Sequence, residues 1–134
     1  MKTRPMLTLE DCRKISAAAE AEAIKNKWVV CIAILDGGHL LHLVRMDGAS
    51  PANARIATEK GRTAAESRRS SQVWEERIKA GRVSMLGMPG ITPIQGGLPI
   101  VAEGVCLGGV GVSGVQSHED EQIAAAGIHA VIPG

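Results

Sequence analysis

A chain of 134 residues, 45% hydrophobic and 22% charged, is long enough to bury a core as one domain. Its net charge of +1 gives no basic stripe for nucleic acid or a membrane surface, and two Trp with no Phe or Tyr give no platform for base stacking. The longest apolar run, residues 28–35, is too short to span a bilayer, and MKTRPMLTLED has no apolar signal segment, so a cytoplasmic location is expected.

The first helix starts at Thr8, an N-cap residue with Asp11 in the capping-box position. It presents Cys12, Ile15, Ala19 and Ala23 on one face and ends near Asn26. WVVCIAIL (28–35) then reads as a central strand covered on both faces. The turn Asp36-Gly37-Gly38-His39 leads into a second strand, 40–46, with His42 on the face of Leu40, Val44 and Met46, and Arg45 on the face of Leu41 and Leu43. Ser50-Pro51 opens a helix to about Ser67, with Ser50 as N-cap and a small-residue face suited to close packing; Lys60 reads there as a solvated charge. A short helix, QVWEERIKA, is capped by Ser70 or Ser71 and stopped by Gly81.

Residues 82–98 are long for a loop and carry Met85, Leu86, Met88, Ile91 and Ile94, which predicts a segment folded over a pocket or a subunit interface; a short strand near 83–86 is an option. The glycine-rich stretch GGLPIVAEGVCLGGVGVSG (96–114) reads as a hairpin at the centre of the sheet, turning at Glu103-Gly104. Its strand glycines predict close approach of a helix or of a flat ligand. The GxGxxG match at 109–114 lacks the βαβ context of a dinucleotide site, and GVSGV is not a nucleophile elbow. Ser117, with Asp120 three residues on, opens the last helix, about 118–130, which turns Ile123 and Ala126 inward. Hairpins grouped between helices give an α+β fold, an antiparallel sheet flanked by helices. Cys12, Cys31 and Cys106 show no metal or disulfide spacing and read as buried thiols.

Together, LTLED, VVCIAILDGGHLLHLVRMDGA, ARIATEKGRTAA, MPGITPIQGGLPIV and GGVGVSG before an acidic helix start resemble the GlcG/HbpS family of haem-binding proteins, across about residues 7–130. The resemblance implies a profilin-like or PAS-like three-layer arrangement and a homo-oligomer. It also implies haem as cofactor, in haem handling or redox sensing, though function varies within the family. The iron ligand would be His39 first, then His42, then His118, with Met88 and the glycine-rich strand against the porphyrin. Gly97, at the loop end, matches the family pattern and is a further ligand-binding candidate; a rival reading is a tautomerase or hydrolase acting on a small carboxylic or enol acid, with Lys60 and Arg45 holding the anion and His39 or Asp120 moving the proton under the apolar 82–98 loop. A third is a non-catalytic oligomeric partner.

Overall fold

The computed structural model describes residues 1–133. It runs α1 (Leu9–Lys25), β1 (Cys31–Asp36), β2 (His39–Arg45), α2 (Ala52–Ser67), α3 (Gln72–Lys79), a 3-10 turn (Val83–Gly87), β3 (Gly97–Ala102), β4 (Val105–Ser113) and α4 (Ser117–His129). The strands form one antiparallel sheet in the order β2-β1-β4-β3. The glycine-rich hairpin therefore lies only half at the centre. Its second strand, β4, is interior beside β1, and its first, β3, is an edge.

Helices cover both faces. On one side Ile32 and Ile34 of β1, Val110 and Val112 of β4 and Ile100 of β3 pack with Cys12, Ile15, Ala19 and Ala23 of α1 and Ile123 and Ala124 of α4. Each fully buried Ile or Val contributes about 1.5–3 kcal/mol of burial free energy, which makes this the main source of the fold's stability. Burial also pushes the Cys12 and Cys31 thiols above their ordinary pKa. On the other side α2 lies on β4, and here glycine is obligatory. A Cβ at Gly111 would strike the Ala57 carbonyl and the Gly61 amide of α2, and one at Gly109 would come within 2.5 Å of the Gly61 carbonyl. The strand glycines thus admit a helix, and no flat ligand reaches this face.

Several local details differ from expectation. The Thr8–Asp11 capping box forms as read. Ser50 does not cap α2; the N-cap position falls on Pro51, which already has helical dihedrals and makes no side-chain cap. At α4 the capping box is Gln116 with Glu119, one residue earlier than the sequence suggests, because the Asp120 carboxylate turns into the protein. Glu103 and Gly104 take φ of 52° and 73°, the turn geometry expected of this hairpin. A bulge between Ile34 and Leu35 shifts the β1–β2 register, so Leu40 pairs with Leu35 while His42 pairs with Ile34. Leu40 therefore joins Leu43 and Arg45 on the α2 side, away from His42.

The 82–98 segment contains a 3-10 turn and no strand. Met85 is buried, whereas Val83, Leu86, Met88 and Ile94 stay exposed. Hydrogen bonds from Thr92 N to Thr63 Oγ1, Gln95 N to Glu75 Oε1 and Gly97 N to Ser71 Oγ tie it to α2 and to the α3 region.

Candidate functional site

The residues singled out for chemistry fall into three separate places. Lys60 and Asp120 do come together, but with each other and inside the protein. Their relative exposures are 2% and 1%, and Lys60 Nζ lies 3.0 Å from Asp120 Oδ2. Lys60 Nζ also donates to the Val112 carbonyl at 3.1 Å, and Asp120 Oδ1 accepts from the Val115 amide at 3.1 Å. Burial raises the Asp120 carboxyl above its ordinary pKa, and the Lys60 charge pulls it back down. The pair fastens α2 to the end of β4 and the start of α4.

Lys60 is not the solvated charge its place in a polar-looking helix suggested. Glycine explains the difference. Gly96 and Gly97 pass so close that a Cβ on Gly96 would fall 2.8 Å from Lys60 Nζ, and one on Gly97 would strike the Lys60 carbonyl. The GGLP sequence is thus the lid over this lysine. Gly97 serves as backbone, its amide donating to Ser71 Oγ at 2.9 Å.

The second place is the free edge of the sheet. β2 carries His39, His42 and Arg45, with Leu40, Leu41 and Leu43 exposed by 49%, 40% and 40%. His42 is half-buried in mid-strand, opposite Ile34, while His39 is exposed at the turn, opposite Asp36. Arg45 lies six residues from His39, about 20 Å along an extended strand, and lines a shallow groove of about 360 Å³ with Glu20, Val44, Met46 and Asp47. α2 contacts β2 far less than it does β1 or β4, so the leucines of its α2-side face are left partly uncovered.

The remaining residues lie apart from both. His118 is exposed in the first turn of α4, and Met88 is partly exposed in the long loop. Among the described residues no three His, Cys, Asp or Glu side chains converge on a point where a metal ion could sit, so His39, His42 and His118 do not form a ligand cluster within one chain. The small-acid arrangement is not assembled either, since Lys60 and Asp120 neutralise each other in the interior while Arg45 and His39 lie on the outer strand. Sequence reading missed the Lys60–Asp120 partnership and the contact from Ser113 Oγ to Asn53 Oδ1 at 2.8 Å; both span about sixty residues and leave no local spacing signal. No helix among the described residues is long and apolar enough to cross a membrane.

Comparison with known proteins places this architecture. Protein GlcG of Escherichia coli K12 is 46% identical over 114 residues, covering 84% of this chain and 85% of GlcG. An uncharacterised 15.0 kDa protein from the dhaT-dhaS intergenic region of Citrobacter freundii is 29% identical over 123 residues, 88% of this chain and 87% of that one. Among solved structures, a doubly substituted HbpS of Streptomyces reticuli superposes with a TM-score of 0.88 at 32% identity, over 100% of this chain and 91% of the other. A PduOC–haem complex, at 23% identity and a TM-score of 0.86 over 95% of this chain and 96% of the other, shares the fold. The family model described as "Haem degrading protein HbpS-like" matches residues 7–129, and the chain is a member of that HbpS-like family.

Proposed function

We propose that this protein binds haem at the free edge of its sheet, as a cytoplasmic homo-oligomer engaged in haem handling or redox sensing. The observation that carries the reading is the free edge strand β2, whose three leucines remain 40–49% exposed, Leu40 and Leu43 on the α2-side face, while His42 faces the other side. A tetrapyrrole needs an apolar wall and an axial donor, and β2 carries both, the leucine wall on one face and the His42 imidazole on the other. The glycine-rich strand cannot be that wall, being closed by α2 on one face and by the α1–α4 core on the other.

His42 is the better-placed ligand. It is half-buried in mid-strand, whereas His39 at the turn is open to water. Arg45, with Nη groups that pair with carboxylates, is the β2 cation available to a propionate. A strand face holds only one side of a porphyrin, so a second copy of the chain would cover the other, its leucine face set against the His42 face of the first, which keeps one haem per chain and accounts for leucines left exposed on an edge strand. Bound iron would supply the redox chemistry. The protein's part is to orient the imidazole and exclude water around it. Membership of a family described as haem degrading and likeness to HbpS support the same reading.

The test is a haemin titration followed in the Soret region on wild type, His39→Ala, His42→Ala and His118→Ala, with subunit mass measured by light scattering. Saturation near one haem per chain is expected, lost in His42→Ala and restored with an altered band position in His42→Met. Non-saturating absorbance in wild type would refute haem binding, and loss confined to His118→Ala would move the site off β2.

A further inference from the structure

At the opposite edge of the sheet from β2 there is a second groove of about 370 Å³, lined by Arg4, Arg68, Val101, Gly104, Val105 and Cys106. It lies where the N-terminal segment, the C-terminal end of α2 and the β3–β4 turn meet. Both charged residues in its lining are arginines, and neither makes an ion pair among the described residues. Arg68 is also the C-cap of α2 in the left-handed region, with φ of 61°, a position that ordinarily favours glycine. Its charge offsets the partial negative end of the helix dipole. Arg4, on the chain segment before α1, has no such duty.

We infer that this groove binds a small aliphatic carboxylate, its carboxyl group held between the Arg4 and Arg68 guanidinia and its carbon chain against Val101. Guanidinium donors match a carboxylate in charge and in planar hydrogen-bond geometry. Val101, on the Cys106 face of the hairpin and 45% exposed, offers a short apolar surface. The site is independent of the haem reading, since β3 and β2 are opposite edges of the sheet.

Cys106 makes the proposal measurable. Its half-buried thiol lines the groove and lies 3.6 Å from the Ala65 carbonyl and 3.5 Å from the Gly108 carbonyl. Cys12 and Cys31 are fully buried in the core. Alkylation of the native protein therefore reports on this groove. The experiment compares the rates at which iodoacetate, an anion, and iodoacetamide, its neutral counterpart, modify Cys106 at fixed ionic strength, read by mass spectrometry of the intact protein and its peptides. Wild type is compared with Arg4→Ala/Arg68→Gly, where glycine suits the left-handed backbone and circular dichroism checks the fold.

The iodoacetate-to-iodoacetamide ratio is expected to fall about threefold or more in the double variant, the size of a partly screened charge attraction. Succinate should protect Cys106 in wild type with saturation, and succinamide should not. Equal ratios in the two proteins, or equal protection by succinate and succinamide, would overturn the proposal. Protection by inorganic phosphate at lower concentration than by succinate would overturn the carboxylate assignment.

Discussion

Replacing Lys60 by Met leaves the Asp120 carboxylate in the interior with no counter-charge. At 3.0 Å the two charges attract by about 5–6 kcal/mol at an effective dielectric constant of about 20, against several kcal/mol lost by each on leaving water. The net worth of the pair is therefore small, but the cost of breaking it is large. Lys60→Met alone and Asp120→Asn alone are each expected to lose about 3–5 kcal/mol, a large share of a stability of about 5–15 kcal/mol. The double variant has no buried charge, and its Asn can still accept from the Val115 amide, so it should lie within about 2 kcal/mol of wild type.

The assay is urea unfolding followed by circular dichroism, assembled as a double-mutant cycle. A pH series adds a sign. In Lys60→Met the folded-state pKa of Asp120, already raised by burial, loses the charge that held it down. A raised folded pKa means that stability falls as pH rises from the ordinary value of 3.8 through the folded value. The deficit of Lys60→Met relative to wild type should thus be smaller near pH 4 than near pH 8. Additive single effects, a single loss under about 1 kcal/mol, or a deficit that grows on acidification would refute the reasoning.

Gly111→Ala should destabilise by about 1–3 kcal/mol or prevent folding, since the new methyl group meets α2 backbone that cannot swing aside; thermal unfolding checks it, and unchanged stability would mean that α2 sits farther from β4. The Thr8 amide and hydroxyl, each 2.9 Å from Asp11 Oδ2, hold the Asp11 carboxyl below its ordinary pKa. That contribution is complete above pH 3.8 and is lost as pH falls through the folded value, so Asp11→Asn should flatten the acid limb of the stability curve by no more than about 1 kcal/mol at this exposed cap. Leu40→Glu/Leu43→Glu should shift the protein toward monomer in light scattering with little change in the core; an unchanged assembly would place the subunit contact elsewhere than β2.

What the sequence could and could not reveal follows the range of each interaction. The α1 cap, its buried face at Cys12, Ile15, Ala19 and Ala23, and the Glu103-Gly104 turn rest on neighbours within four residues, and all three were legible. The glycines of β4 were legible as close approach, though composition alone could not choose between a helix and a ligand. The β1–β2 bulge adds one residue to one strand with no compositional mark, so it moved Leu40 across the sheet unannounced. Lys60 and Asp120 are sixty positions apart, and each has an ordinary local explanation, one as a surface helix charge and the other as a capping acid. Only the three-dimensional meeting of α2, β4 and α4 shows that both are buried.

The same packing restricts where ligand chemistry can occur. β1 and β4 are sealed by helices on both faces, and the strongest internal charges cancel across 3.0 Å, so neither the glycine-rich strand nor Lys60 faces a ligand. The accessible strand surfaces are the two outer ones, β2 and β3, which differ in character. β2 presents exposed leucines on one face and the His42 imidazole on the other, an edge open to a broad apolar ligand and a second subunit. The groove beside β3 presents two guanidinia and a thiol, suited to a small anion. A sheet built around a rigid glycine-packed centre can vary both edges without disturbing its core.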